Sequence, residues 1–172
     1  MTELPAGPYT AIWVYQGATP AVHVGDVVTV KGLVRDNAGR SEINLLYQAD
    51  AAAVVTSTTT PPALFVTTVE LAADYEAWES HVLTITDGMI VQDLMFGGFW
   101  LASSVESQLP VLFNDYFFDY ATVELGDCYN NAFGMVTWYK NQWVFKVMSV
   151  EAVDCTVGNE GLSFGAMKRL FR

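Results

Sequence analysis

Cys128 and Cys155 are the only thiols of the chain, and His23 and His81 its only imidazoles. Four such residues could form a zinc site in principle, but their spacings match no zinc motif, so no metal is expected there. A disulfide is the better reading. Phe133 to Tyr139 and Gln142 to Val150 are aromatic and β-branched runs flanking Lys140-Asn141, the pattern of a tight hairpin. Folding the chain about that turn brings Cys128 near residue 153, within bonding reach of Cys155 if the side chains share a face. A disulfide implies an oxidising compartment, whereas two reduced cysteines would be small buried hydrophobes.

Other chemistry is sparse. The chain contains no phosphate-binding loop, dinucleotide fingerprint, nucleophile elbow or His-Glu zinc motif. With two histidines far apart and no serine in a recognisable setting, no catalytic triad is expected, and neither is any cofactor. Asp115 and Asp119, with Asp93 and Asp87, are oxygen ligands of the kind calcium takes, but the stretch from Asp115 to Asp119 lacks a dense loop of oxygens. Solvated acids at strand ends are the expectation. The remaining candidates are aromatic. Trp138, Tyr139 and Trp143, beside Lys140 and Lys146, could stack bases or sugars, or could build a core or an interface.

Charge narrows the partners. Nineteen acids face eight bases for a net charge of −11, so a surface tracking nucleic acid would be built against the average field. Nucleic acid is not the expected partner. All the acids lie at or before Glu160, whereas Lys168, Arg169 and Arg172 close the chain. That basic end, with Phe164, Met167 and Phe171, is a candidate assembly tail, the alternative being a solvated end. No apolar run approaches the ~18–20 residues needed to cross a bilayer, and Met1 to Pro5 lack the basic and apolar blocks of a signal peptide.

The elements that must position these residues are strands. Tyr9–Tyr15, Asp26–Val34, Ser41–Leu46, Ala53–Ser57, Val82–Thr86, Met89–Asp93, Gly98–Ser103, Pro110–Phe113 and Tyr120–Val123 are short β-branched or aromatic runs punctuated by Gly, Asn, Asp and Pro. Helix is expected only over Val69–Trp78, capped by Thr67 or Thr68, and over Phe164–Phe171, capped by Ser163.

An internal repeat organises the strands. Val24-Gly25-Asp26 followed by Val30-Lys31-Gly32 recurs as Leu125-Gly126-Asp127 followed by Gly134-Met135-Val136, each leading through a turn into another strand. Gly32 and Gly134, inside strand runs, fit the bends by which a strand coils around a small barrel. The expected fold class is therefore all-β, with two tandem small barrels. Residues 1–57 form a partial first domain, 58–62 a Thr/Pro linker, 63–155 a complete second domain and 156–172 a tail. The first copy lacks the opening strands of the second. Either the chain begins inside a domain or a strand from another subunit fills the gap.

From Val66 to Cys155 the chain resembles the OB-fold-like modules of secreted bacterial proteins, often found beside extracellular nuclease or lamin-tail-like domains. The resemblance rests on Trp78-Glu79-Ser80-His81-Val82-Leu83, Asn114-Asp115, Gly126-Asp127, Gly134-Met135-Val136, Trp138-Tyr139 with Trp143, and Val153-Asp154. Residues 9–57 are similar to the later part of such a module, through Ile12-Trp13-Val14-Tyr15, Val24-Gly25-Asp26, Val30-Lys31-Gly32 and Glu42-Ile43-Asn44. Ser80 departs from a common Gly, and Val147-Met148 from a frequent Pro-Arg pair. The missing Arg weakens any carried-over polyanion contact.

The resemblance implies an extracellular or cell-surface setting. The expected function is a non-catalytic structural or protein-interaction unit, including self-association into an assembly or filament. In it a donated strand, from Thr2–Pro8 or Leu162–Phe171, would complete the first copy. The alternative is an OB-fold accessory module that binds single-stranded nucleic acid or another polymer for a secreted nuclease.

Overall fold

A computed structural model describes residues 7–17, 22–47, 50–116 and 122–155. In chain order the strands are β1 (Trp13–Tyr15), β2 (Asp26–Lys31), β3 (Leu33–Asn37), β4 (Arg40–Asn44), β5 (Ala52–Thr58), β6 (Phe65–Val66), β7 (Val82–Ile85), β8 (Met89–Met95), β9 (Phe99–Ser104), β10 (Pro110–Asn114), β11 (Cys128–Tyr139) and β12 (Gln142–Val153). One α-helix, α1 (Thr68–Ala73), and a 3₁₀ turn (Glu76–Trp78) lie between β6 and β7. The described chain is thus mostly β, as its short β-branched runs require.

Local chemistry sets the boundaries. Lys140 and Asn141 both take positive φ, 50° and 64°, which is the twist of a two-residue type I′ loop and folds β11 back onto β12. Thr67 caps α1: its hydroxyl accepts from Glu70 N while the Glu70 carboxylate accepts from Thr67 N, so two helix-end donors are satisfied reciprocally.

Strands β6 to β12 form one seven-stranded sheet. Its pairing path runs from β8 antiparallel to β9 and on to β10, then parallel to β12, then antiparallel to β11, which returns to β8. β11 also pairs with β7, which carries the short β6 on its outer side. Inside this circuit lies the core: Leu83, Ile85, Met89, Val91, Trp100, Phe113, Val136, Phe145 and Val147 are buried there with Leu71 of α1. Trp100 stacks on Phe113 at 5.4 Å, and Phe113 meets Phe145 edge-on at 5.5 Å. Each such side chain withdraws ~150–250 Å² from water, so this cluster is the main stabilising mass of the molecule.

Residues before 59 are arranged differently. β4 pairs in parallel with β1 and antiparallel with β3, and β2 pairs antiparallel with β5, giving a three-stranded and a two-stranded sheet. The Asp26–Val34 run expected as one strand breaks at Gly32, and its two parts enter different sheets. A Cβ at Gly32 would lie 2.8 Å from Asn44 O and from the Ile43 and Leu45 side chains, so the backbones cross where only glycine fits. Among the described residues of this half, the only buried side chains are Glu42 and Asn44, both polar.

Further differences are local. β1 is shorter than the expected Tyr9–Tyr15 strand, and no strand covers Thr122 or Val123, Thr122 lying in a helical turn. The Val69–Trp78 expectation resolves into α1 and the 3₁₀ turn. Thr58 belongs to β5, and residues 59–64 have no regular structure. The expected terminal helix lies outside the described residues.

Candidate functional site

Two turns and a strand end meet at one end of the seven-stranded sheet. The β8–β9 turn brings Phe96, Gly97 and Gly98, the end of β10 brings Asn114, Asp115 and Tyr116, and the β11–β12 turn brings Tyr139 and Lys140. Lys146 enters from β12, whose Phe145 and Val147 point into the core while alternation turns Lys146 to the other face. With Phe99 these residues line a cleft of about 320 Å³. Gly98 is required in this arrangement. At φ 75°, a Cβ there would lie 2.2 Å from the Asp115 carboxylate, which the close approach holds at the cleft wall. Asn114 Nδ2 donates to Gly98 O at 3.2 Å, tying the β10 end to the β8–β9 turn.

Lys146 dominates the electrostatics. Its side chain is only 9% exposed, and the ammonium lies 4.1 Å from the centre of the Tyr116 ring and 5.6 Å from that of Tyr139. Burial pushes its pKa below the ordinary lysine value, and the Arg40 guanidinium adds to the shift. Among the described residues no carboxylate pairs with it. The rings supply part of the compensation, through their negative faces. Lys140 Nζ also lies over Tyr139, at 5.1 Å, and Phe99 stacks on that ring at 6.1 Å.

The aromatic candidates of the hairpin divide between two faces. Tyr139 joins the cleft, whereas Trp138, its neighbour on β11, points the opposite way, as strand alternation demands. Trp138 meets its cross-strand partner Trp143 edge-on at 5.0 Å, and Trp143 stacks on Tyr75 at 6.1 Å. These two tryptophans serve contacts inside the chain. Cys128 and Cys155 form a disulfide with Cα atoms 5.4 Å apart, at the open end of the hairpin where Cys128 pairs with Val153. The tail candidates Phe164, Met167, Lys168, Arg169, Phe171 and Arg172 lie outside the described residues, as does Asp119.

Sequence reasoning missed Phe96, Phe99, Asn114 and Tyr116. Their only signals were the Gly97-Gly98 turn and the Asn114-Asp115 strand end, neither of which says that the two ends converge. A second polar centre also went unread. The buried Glu42 carboxylate receives Asn44 Nδ2 at 2.9 Å, Asn37 Nδ2 at 3.0 Å and Arg40 Nη2 at 3.1 Å, with Arg35 Nε at 2.9 Å. Burial pushes its pKa up, but the amides and guanidiniums outweigh that and hold it below the ordinary glutamate value. Arg40 lies over the Trp13 ring at 4.8 Å and Arg35 over Tyr47 at 5.2 Å.

The two halves touch through several hydrogen-bonding groups. Ser41 N donates to Glu79 Oε2 at 3.4 Å, Tyr9 N donates to Ala77 O at 2.6 Å, and His81 Nε2 sits 2.8 Å from Gly7 O. Among the described residues no three potential metal-ligating side chains cluster, and no helix is long and apolar enough to cross a membrane. No family model matches the chain, and a comparison with curated proteins finds no match.

Proposed function

We propose that the chain is a non-catalytic interaction module of an extracellular assembly. In this reading β7–β12 is an OB-like barrel, and β1–β5 is a second OB-like unit that another polypeptide segment completes. The observation that carries the proposal is the burial pattern of residues 7–58, where the described apolar side chains stay at least partly exposed and only Glu42 and Asn44 are buried. Val34, Tyr47 and Val54 are all more than half exposed. A β-unit normally buries one apolar face, and here no described residue of the chain covers those side chains fully.

The pairing pattern supports the parallel between the halves. β1 runs parallel to β4 as β10 runs parallel to β12, and the β3–β4 hairpin mirrors the tip of the β11–β12 hairpin. By that correspondence the described residues of the open half include no partners equivalent to β8 and β9. A donated segment would pair with the free edges of β1 and β3 and cover the apolar face, giving backbone hydrogen bonds and burial together. The tail of a second copy, Leu162–Phe171, is the segment assigned: it is rich in apolar residues, and its Lys168 and Arg169, with the adjoining Arg172, are attracted to a strongly acidic body. The disulfide agrees with an oxidising setting.

Light scattering of the full chain and of a chain ending at residue 155 tests the reading. Concentration-dependent assembly that disappears on truncation is expected. A well-folded monomer in both cases overturns it.

A further inference from the structure

The cleft beside the β11–β12 turn holds a buried ammonium that no carboxylate among the described residues pairs with. Lys146 is nine-tenths buried, faces the cleft and has no carboxylate partner among the described residues, while Lys140 stands at the rim. Removing an ammonium from water without a counter-ion is costly, and two ring faces return only part of that cost. An anion entering the cleft would recover the remainder. The lowered pKa of Lys146 expresses the same deficit.

The walls define what carries the anion. Tyr139 has Phe99 stacked against it and two ammonium groups over its ring, and Tyr116 receives Lys146, so neither ring belongs to an open pair of parallel platforms between which a base could slide. The Asp115 carboxylate in the wall repels a second negative charge but accepts from hydroxyl groups. Phe96, fully exposed at the mouth, offers an apolar surface to the C–H face of a ring. At about 320 Å³ the cleft is at the small end of ligand sites, which run ~300–1,000 Å³, and accommodates one ring rather than a polymer segment.

We propose that this cleft binds a hexose ring bearing one anionic group, with Lys146 and Lys140 on the anion, Asp115 on the hydroxyls and Phe96 against the ring face. The anion's chemistry has two sources, a uronate carboxylate or a sugar phosphate, and both satisfy the same lysines. The site is independent of strand donation, since it lies wholly within residues 96–146.

Calorimetric titration of the full chain at low salt with glucuronate, glucose 6-phosphate, glucose and adenosine monophosphate tests the assignment. At least one of the two anionic hexoses is expected to bind, and which one binds identifies the source; glucose should be weaker than it by about tenfold or more. Lys146→Met should lose at least about tenfold in affinity with an unchanged near-ultraviolet circular dichroism spectrum, and Lys140→Gln, a change at the exposed turn, about threefold. If Lys146→Met does not fold, Lys140→Gln decides. Silence from both anionic hexoses, equal affinity for glucose, tighter binding of adenosine monophosphate, or unchanged affinity in the folded variants overturns the proposal.

Discussion

The Trp138 indole lies so close to Gly39 that a Cβ on the glycine would sit 2.2 Å from Trp138 Nε1. Gly39 closes the β3–β4 turn at φ 88°, so this contact seats the first half of the chain on the second. Gly39→Ala therefore meets both a backbone penalty and a steric one, and should cost about 1–3 kcal/mol. Tryptophan fluorescence should report the loosened contact alongside a lower urea midpoint. Stability within a few tenths of a kcal/mol of wild type would show that the halves do not depend on it.

Glu42 gives the chain an acid-sensitive point. Its carboxyl titrates below the ordinary glutamate value in the folded state, so its contribution is fully present above the unfolded pKa and is lost as pH falls through the folded one. Glu79 works in the opposite sense, because burial raises its pKa and protonation relieves the cost. A raw pH profile would mix the two, so the comparison must be between wild type and Glu42→Gln. At pH 7 the variant should be less stable by about 1–3 kcal/mol, the cost of leaving two partly buried guanidiniums without their carboxylate. The gap in urea midpoint should shrink as pH falls below ~4. A gap independent of pH would refute this account.

What the sequence disclosed about these sites follows the range of the interactions. Lys140-Asn141 with its flanking runs is a local signal, and it placed Cys128 opposite residue 153, where Cys128 does pair with Val153. That agreement conceals two bulges. The register slips between Tyr129 and Asn131 on β11 and again between Phe133 and Gly134, where Met148 is the extra residue on β12; the slips are opposite and cancel. Nothing local announces either. Glu42 shows the same limit from another side: in Glu42-Ile43-Asn44 polarity alone would bury Ile43, yet Glu42 and Asn44 take the buried face, where Arg35, Arg40 and Asn37 converge on the Glu42 carboxylate. The cleft draws on two turns and a strand end spread along the chain from Phe96 to Lys146, and only the folded sheet brings them together.

The Cys128–Cys155 bond closes a loop with a sequence separation of 27. Loop-closure entropy of that size corresponds to roughly 3–4 kcal/mol. Cys128→Ala/Cys155→Ala should lower the denaturation free energy by about this amount, and a reductant should destabilise wild type while leaving the double variant untouched. A reductant effect on the variant would trace the loss to something other than this bond.

Tyr129 sets an alkaline limit. Burial, with Asp127 adding to it, pushes its phenol up to about 12. An unfolded tyrosine ionises near ~10, so stability is fully present below that pH and is lost as pH rises toward the folded value. Phenolate absorbance should show a late component with a midpoint near 12, distinct from the upward shifts of Tyr9 and Tyr75, and Tyr129→Phe should remove that component. Titration of all the tyrosines together would contradict the burial of this ring.

Gly134 and Gly126 separate steric exclusion from backbone strain. At Gly134 a Cβ would lie 2.4 Å from Lys146 O and 2.8 Å from Phe145 Cε1, and a carbonyl oxygen held in the β11–β12 ladder cannot move aside as a flexible side chain can. Gly126 has φ 89° but open space around it, so a methyl group there meets only the left-handed backbone penalty. Gly126→Ala should cost about 1 kcal/mol. Gly134→Ala should cost roughly 3 kcal/mol or more, because relief requires β11 to part from β12 beside Phe145 and Val147 in the core. Chemical denaturation of both variants would test the ordering, and equal losses would mean that the hairpin relaxes around position 134 at little cost.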